Sequence, residues 1–220
     1  MLHLRALGVL TPPIEIEAKF ALDEPAAAEA LATAATLGDG ITLGEAREQV
    51  DHDDYADTLD LALLRAGWAL RHRTRFVTGA DGWPSVVHLV TLKQLAGAAR
   101  AAAGDGPAGV QARIEHEGPV VGAPFDPQGW PETVRAAAEA AVGGPLPELH
   151  ELFTLAQQRR VRPVALDGTG VGELSIDAVR VHLAGGARRG ADAVARFDEV
   201  EFELAAGAPP HAVRRLAAAL

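Results

Sequence analysis

The chain has 220 residues, of which 48% are apolar and 23% charged, and a formal net charge of −10. This composition is typical of a globular protein with a sizeable core, and the negative charge argues against non-specific binding to nucleic acid, which needs a basic surface. Because the sequence has no cysteine, disulfides, thiolate metal sites and a cysteine nucleophile are excluded. Any metal must therefore bind oxygen or imidazole ligands.

Membrane insertion and export are not indicated by the sequence. No apolar run approaches the roughly 20 residues that a membrane-spanning helix needs. The start of the chain, residues 1–5, lacks the long apolar region and cleavage site of a signal peptide. We therefore expect a cytoplasmic protein with neither a membrane nor nucleic acid as a partner.

The pattern of apolar residues, prolines and glycines predicts about eight strands and three or four helices. The chain begins with an extended segment at 4–13 that ends in Pro-Pro, and a strand at 14–20 and a helix at 23–37 follow. Next come a strand at 46–55, a short helix at 61–65, and strands at 68–77, 85–94 and 110–117. The last elements are a helix at 131–142, strands at 151–164, 171–182 and 197–205, and a helix at 209–220. Short turns between successive strands favour antiparallel pairing.

Local signals mark several of the element ends. Asp23 is expected to cap the first helix, which Gly38 stops, and the segment from Asp57 to Asp60 predicts a capped turn before the short helix. Residues 78–82 have the composition of a hairpin turn, and the Gly- and Ala-rich residues 96–109 predict a mobile loop.

One strand face is unusually rich in charge. A strand points every second residue to the same side, so Glu15, Glu17 and Lys19 project from one face of the first strand and apolar residues project from the other. The same alternation recurs in three further strands, with Arg71, Arg73 and Arg75; with Gln111, Arg113, Glu115 and Glu117; and with Glu199, Glu201 and Glu203.

Two arrangements of these faces are open. If the charged faces point into water, the apolar faces form the core of a sandwich. If they point inward, the sheet closes into an antiparallel barrel whose apolar outer face is covered by the alanine-rich helices. A barrel of about eight strands can hold one small ligand. A charged interior would need water, cations and an anionic ligand, because unpaired buried charges cost several kcal/mol each.

Six motifs in a fixed order resemble the CYTH superfamily, the triphosphate tunnel metalloenzymes. They are Glu15-x-Glu17-x-Lys19, Tyr55-Ala-Asp57-Thr58-x-Asp60, Leu63 to Gly67 leading into Arg71-x-Arg73, Thr91-Leu92-Lys93, Arg113-x-Glu115-x-Glu117, and Glu199-Val200-Glu201-x-Glu203. The resemblance runs over about 14–205. We therefore expect residues 1–220 to form a single CYTH domain with its core at about 14–205 and a C-terminal helix at about 209–220.

The resemblance implies an α+β fold that is mainly antiparallel β, with an eight-stranded closed β-tunnel and helices packed outside. It also implies binding of a linear triphosphate with a divalent metal, usually Mg²⁺ or Mn²⁺. The residue chemistry agrees independently, since carboxylates suit these hard cations and the Lys and Arg side chains suit phosphate oxygens.

Site residues can be carried over from the family motifs position by position. The implied metal ligands are Glu15, Glu17, Asp177, Glu199 and Glu201. The implied phosphate-binding residues are Lys19, Arg71, Arg73, Lys93, Arg113 and Arg159. The residues expected to be catalytic are Glu17, Glu201, Lys93 and Arg71. Whether one or two metals act stays open.

Several assignments have alternatives. Arg159 is chosen over Arg160 and Arg162, which alternation would place together on the opposite face. Glu115 is expected to support Arg113 or Arg71, with orientation of a water molecule as the alternative. Glu117 and Glu203 are expected at the tunnel mouth.

Two other charged segments resemble ligand sites only weakly. His52-Asp53-Asp54 is expected to be a solvated loop or strand end rather than a metal cluster, since adjacent strand residues diverge. Arg188 and Arg189 are expected to be exposed in a Gly-rich loop, with contact to a long polyphosphate as the alternative.

The leading hypothesis for function is a metal-dependent triphosphatase that hydrolyses inorganic triphosphate and uses water as the acceptor. A class IV adenylyl cyclase and a thiamine or nucleoside triphosphatase are alternatives, but one Tyr, three Trp and six Phe offer few aromatic rings for stacking. The non-enzymatic alternative is a polyphosphate sensor, which the complete acidic set disfavours.

The end of the chain resembles the region where some bacterial CYTH proteins continue into a CHAD domain, an α-helical polyphosphate-binding module. We therefore expect either a natural single-domain protein or the N-terminal part of a longer chain.

Overall fold

The computed structural model describes residues 14–78, 84–95 and 109–220. The strands in these ranges are β1 (Ile14–Ala21), β2 (Thr36–Gly38), β3 (Ile41–Leu43), β4 (Arg47–Asp57), β5 (Trp68–Thr78), β6 (Pro84–Gln94), β7 (Val110–Pro119), β8 (His150–Leu166), β9 (Thr169–Leu183) and β10 (Ala195–Leu204). The helices are α1 (Pro25–Thr33), α2 (Ala62–Arg65), α3 (Glu132–Val142) and α4 (His211–Ala219).

Eight of these strands close into one antiparallel barrel. Their order around the barrel is β8, β4, β5, β6, β7, β1, β10 and β9, and the pairing of β9 with β8 closes it. The short strands β2 and β3 form a hairpin that pairs with the last residues of β8. The predicted eight-stranded antiparallel tunnel is confirmed, and the sandwich is excluded.

The longest pair of strands depends on a tight turn. β8 and β9 are joined at Asp167 and Gly168, which have φ values of 50° and 80°. Positive φ at both central residues is the requirement of a two-residue hairpin turn that matches the twist of the strands, and Asp-Gly is a preferred sequence for it. This turn sets the register that closes the barrel.

The apolar core lies between the outer face of the barrel and the helices. One cluster joins Ala18, Leu174 and Phe202 of the barrel to Val213 and Leu216 of α4. A second cluster contains outward-facing residues of β5 and β6, residues of α2 and α3, and Trp130, which precedes α3. Its buried members are Leu63, Leu70, Val90, Leu92, Trp130, Val134 and Ala138. The helices therefore cover the apolar side of the strands, and the charged side is left for the interior.

The first helix is shorter than predicted. It ends at Thr33 rather than near Gly38, and its N-terminus at Glu24 has no side-chain cap, so the role expected of Asp23 is wrong. The guanidinium group of Arg162 donates to the backbone carbonyls of Leu31 and Ala32 at 2.8 and 3.2 Å. This distant side chain satisfies carbonyls of the last turn, and the chain then enters the β2–β3 hairpin.

The other predicted strands and helices are confirmed to within a few residues. The predicted capped turn is also confirmed, because the Asp57 carboxylate accepts hydrogen bonds from the backbone N–H groups of Thr58, Leu63 and Leu64 at 2.7–3.0 Å. The extended segment at 4–13, the turn at 78–82 and the loop at 96–109 fall outside the described residues, apart from Thr78 and Gly109. Within the described ranges, no helix is long and apolar enough to cross a membrane.

The position of the core predicts how two phenylalanines differ in importance. Phe202 is fully buried, whereas Phe76 is 42% exposed on the outer face. We expect Phe202→Ala to lower the free energy of unfolding by ~3–5 kcal/mol, and Phe76→Ala to lower it by less than about 1 kcal/mol. Urea denaturation followed by circular dichroism measures both. Similar losses for the two variants would contradict the assignment of the core.

Candidate active site in the tunnel

The barrel encloses a cavity of about 430 Å³, a size typical of small-molecule sites. Most of the predicted site residues line it, namely Glu15, Lys19, Arg71, Arg73, Lys93, Arg113, Arg159, Glu199 and Glu201. The other two, Glu17 and Asp177, are at most 1% exposed and lie behind the wall, where they contact Arg113 and Arg159. The structure therefore brings the whole predicted set together, and the roles of its members stay predictions.

Strand register places acids beside bases along β1. This strand lies between β7 and β10, so Glu15 is paired with Arg113 and Lys19 with Glu201. Lys19 Nζ lies 3.0 Å from Glu199 and 3.5 Å from Glu201. Burial alone would lower the pKa of Lys19, but these two carboxylates outweigh it and raise the pKa.

Two groups of carboxylates could each hold a cation. Oxygens of Glu15, Glu17 and Glu201 approach within 4.8 Å of one another, and so do oxygens of Asp177, Glu199 and Glu201. Glu201 belongs to both groups. Burial would raise its pKa, but the positive charges of Lys19 and Arg159 hold the pKa down at about 2, so this shared carboxylate is ionised at neutral pH.

One lysine contacts two members of the first carboxylate group, Glu15 and Glu17, and also contacts Glu115. Lys93 Nζ lies 2.5 Å from Glu15, 3.0 Å from Glu17 and 3.3 Å from Glu115. Burial would lower the pKa of Lys93, but Glu115 and Glu15 reverse the shift and raise the pKa. Glu17 also pairs with Arg113.

The donor chemistry of this group fits a divalent metal. Burial and repulsion from Glu115 raise the pKa of Glu15 to about 7. Its Oε2 atom is buried without a well-formed hydrogen bond, even though Lys93 lies close by, and the same holds for Oε2 of Glu115. Buried carboxylate oxygens with unused lone pairs are hard ligands of the kind that Mg²⁺ and Mn²⁺ prefer.

The opposite wall of the tunnel is basic, and two buried acids support it. Asp53 was expected in a solvated segment, which is wrong, because its carboxylate is fully buried and accepts hydrogen bonds from Nε and Nη2 of Arg73, both at 2.6 Å. Asp51 is equally buried and accepts from Arg75 at 3.0 and 3.1 Å. Burial would raise the pKa of Asp53, but Arg71 and Arg73 hold it down at about 2.

Asp51 and Asp53 are not among the predicted site residues, because Asp53 was grouped with its direct neighbours His52 and Asp54 rather than with the residues on its own strand face. The available signal was the alternation Gln49, Asp51, Asp53 and Tyr55 on β4, which shares one face in the same way as the charged residues of β1. Tyr55 and Gln157 also line the cavity and were not predicted as site residues.

The structure settles which arginine of β8 faces the tunnel. Arg159 lines the cavity and contacts Asp177 at 2.9 Å and Glu201 at 3.3 Å. Arg160 pairs with Glu29 and Glu48 on the outer face of the barrel. Arg162 donates to backbone carbonyls at the end of α1. The position expected for Arg159 is therefore observed.

Of the other charged residues considered in the sequence, three glutamates lie at the tunnel and Arg188 lies outside it. Glu115 lies 3.3 Å from Lys93 and 4.0 Å from Arg71, as a supporting residue would, while Glu117 and Glu203 line the cavity. Arg188 is about half exposed and pairs with Asp54, on the face of β4 opposite to Asp53. It therefore does not line the tunnel.

The lowered pKa of Asp53 predicts an acid-dependent loss of stability. Because the folded-state pKa of about 2 lies below the ordinary value of 3.8, the ionised carboxylate stabilises the fold by ~2 kcal/mol above about pH 5. Roughly half of this contribution is lost at about pH 3, and the rest as the pH falls through about 2. We expect the difference in unfolding free energy between wild type and Asp53→Asn to narrow by ~1 kcal/mol between about pH 5 and pH 3. If the difference in unfolding free energy between the two proteins does not change with pH, the lowered pKa of Asp53 is contradicted.

Comparison with known proteins agrees with the fold. No curated protein matches the chain significantly. HpAC1 from Hippeastrum, provisionally assigned as an adenylyl cyclase and having a dominant triphosphatase activity, is a similar solved structure, with a TM-score of 0.58 and 20% identity over 92% of this chain and 83% of that one. A provisionally assigned adenylate cyclase from Bacillus halodurans has a TM-score of 0.50 and 19% identity over 91% of this chain and 84% of its own.

At these identities the likeness shows a shared fold. The CYTH domain family matches residues 13–218, which is nearly the whole chain. Together with the closed tunnel, this match shows that the protein belongs to the CYTH family.

Proposed function

We propose that this protein is a metal-dependent hydrolase of linear triphosphates, with inorganic triphosphate as its preferred substrate. The observation that carries the proposal is that carboxylates are concentrated on β1 and β10 of one cavity and guanidinium groups on β5, although each side also contains charges of the other sign. The carboxylate side suits cations, and the guanidinium side suits phosphate oxygens. A site that only bound phosphate would need the basic side alone, so the acidic side favours an enzyme over a sensor.

The basic residues are suited to grip an elongated anion. Arg71 and Arg73 are two residues apart on β5, which spaces them about 7 Å apart along the strand. Arg113 and Arg159 come from other strands, so the anion would be contacted from several directions. Guanidinium forks can each hold two oxygens of one phosphate group, which fixes its orientation as well as its position.

The acidic residues would hold the metal. Glu15, Glu17, Asp177, Glu199 and Glu201 are its proposed ligands, and Glu201 is shared by both groups of carboxylates. When bound, Mg²⁺ or Mn²⁺ would supply charge neutralisation and Lewis-acid polarisation of phosphate oxygens.

The chain's own residues would stabilise the reaction in two ways. Arg71 and Lys93 would neutralise charge that develops as the terminal phosphoryl group is transferred to water. Glu115 supports these two cations through its contacts with both, or it orients the attacking water. No Ser, Cys or His nucleophile is required.

One observation favours a second candidate substrate class, a triphosphate that carries an aromatic ring. Tyr55 lines the cavity and stacks on Phe153 with ring centroids 4.7 Å apart and an interplanar angle of 16°. The Tyr55 ring at the cavity wall, which Phe153 supports by stacking, could stack a nucleobase or a thiamine ring. A nucleoside or thiamine triphosphatase, or an adenylyl cyclase, is therefore the alternative that any assay must include.

The proposed metal ligands predict a sharp loss of turnover. We expect Glu17→Ala and Glu201→Ala each to lower metal-dependent phosphate release from tripolyphosphate by about 100-fold or more, while circular dichroism shows a retained fold. Glu48→Ala, on the outer face of β4, is the matched control and should keep full activity. Full activity in either tunnel variant would refute its assignment.

A substrate panel distinguishes the candidate reactions. The protein is incubated with Mg²⁺ or Mn²⁺ and, separately, with tripolyphosphate, ATP and thiamine triphosphate, and phosphate, pyrophosphate and cyclic AMP are measured. We expect phosphate from tripolyphosphate as the main product, and no product when EDTA removes the metal. Pyrophosphate with cyclic AMP would identify a cyclase, and binding without turnover would identify a sensor.

A further inference from the structure

Two carboxylates within the basic wall have no part in the proposed metal or phosphate contacts. Asp51 and Asp53 lie on β4, which is paired with β5 on one side and β8 on the other. Both neighbouring strands bring arginines to the tunnel. Register sets Asp51 opposite Arg75 and Asp53 opposite Arg73, so each acid lies directly beside an arginine.

Asp53 holds its arginines in a defined orientation. Arg73 binds it through Nε and Nη2, one to each carboxylate oxygen, which is the bidentate geometry that fixes the plane of a guanidinium group. Arg71 Nη1 lies 3.3 Å from the same carboxylate. Gln157 donates to Oδ2 at 2.8 Å and so fixes the acid itself.

Asp51, two residues before Asp53 on the same face of β4, also holds arginines in a defined orientation. Arg75 binds it through Nε and Nη2, and Arg73 Nη1 and Arg159 Nη1 lie 3.3 and 3.5 Å from Oδ2. Gln49 donates to Oδ2 at 3.0 Å. Arg73 is thus held by both acids, and arginines from two strands converge on one pair of carboxylates.

Four guanidinium groups, those of Arg71, Arg73, Arg75 and Arg159, converge on the two carboxylates. Some of them also have acidic neighbours on other strands, since Arg159 contacts Asp177 and Glu201 and Arg71 lies 3.6 Å from Glu117. Asp51 and Asp53 are the acids that link the four groups to one another. Without the acids the guanidinium groups would repel one another and spread into different rotamers. With them, each fork is oriented before any anion arrives, which lowers the entropic cost of binding.

We infer that Asp51 and Asp53 are positioning residues that orient the arginines of the basic wall to receive the phosphate groups of a linear polyphosphate anion. The identity of that anion rests on the proposed function. The competing explanation is that the two acids only reduce the positive charge of the wall. The two explanations predict opposite changes in anion affinity when an acid is neutralised.

The test is the affinity of Asp53→Asn for tripolyphosphate, measured by isothermal titration calorimetry with EDTA present. If the acid only reduces charge, its removal makes the tunnel more positive and tightens binding. If it positions the arginines, we expect binding to weaken on the order of 10-fold despite the added positive charge, by analogy with the loss of metal affinity when a group that orients a metal ligand is removed. Unchanged or tighter binding would overturn the inference.

Asp54→Asn is the matched control. Asp54 is the next residue of the same strand and is also buried, but it pairs with Thr154 and Arg188 on the opposite face. We expect Asp54→Asn to lose stability and to bind tripolyphosphate within about 2-fold of wild type, since rearrangements across the strand are small for groups without shared partners. Equal weakening in both variants would assign the effect to general loosening of the barrel and overturn the inference.

Asp51→Asn keeps the test decisive if Asp53→Asn does not fold. It is the milder change, because the side chain of Arg75 is 27% exposed and can reach water. We expect the same direction of change, and unchanged or tighter binding would again overturn the inference. Circular dichroism and thermal melts before each titration establish that the folded protein is measured.

The experiments distinguish failure of the proposed function from failure of the positioning role. A wild-type protein that binds tripolyphosphate without hydrolysing it in Mg²⁺ or Mn²⁺ contradicts the enzyme but leaves the positioning role to be decided by the calorimetry. A wild-type protein that hydrolyses tripolyphosphate but gives equal affinities for wild type and Asp53→Asn contradicts only the positioning role.

Discussion

Closing the sheet encloses its charged face, and every carboxylate and guanidinium group on that face must then find a partner of opposite sign. An isolated buried ion costs several kcal/mol, so a closed charged interior is stable only if its charges are interleaved. The register provides this interleaving. Lys93 lies among Glu15, Glu17 and Glu115, and Asp53 lies between Arg71 and Arg73.

The outward position of the hydrophobic core follows from the same constraint. Because the charged faces point inward, the apolar faces of the strands point away from the tunnel, and they need a second layer to exclude water. The helices α1 and α4 cover one side, and α2 and α3 cover another. A barrel with a polar interior is thus stabilised from outside, and its interior stays available for ions and an anion.

Periodicity makes part of this arrangement readable from the sequence. The alternation of Glu15, Glu17 and Lys19 with apolar residues is enough to predict which face of β1 carries charge, and its recurrence in other strands predicts that several such faces meet. Family motifs then distinguish the closed barrel from a sandwich, which periodicity alone cannot do. Element boundaries are recoverable where a glycine or an Asp cap acts locally, as at Asp57.

What the sequence did not predict depends on contacts between distant residues. The end of α1 is set by Arg162, 129 positions beyond Thr33, and no local signal contains that information. The acids Asp51 and Asp53 have a local signal in their alternation, but their importance depends on β5 and β8 flanking β4. Only the strand order shows that two sets of arginines converge there.

The charge balance of the tunnel limits how an anion can be bound. In the part of the chain that the structure describes, the cavity wall carries acidic and basic side chains in equal number, and Glu17, Asp51 and Asp177 are buried behind it. The interior as a whole therefore has no net positive charge that would attract an anion. An anion of several charges is best stabilised where the arginines are locally in excess, and cations held by the carboxylates would balance part of its remaining charge. An uneven distribution of the two signs within one cavity, in which each charge still has a partner of opposite sign, is what makes a protein of net charge −10 suited to a polyanion.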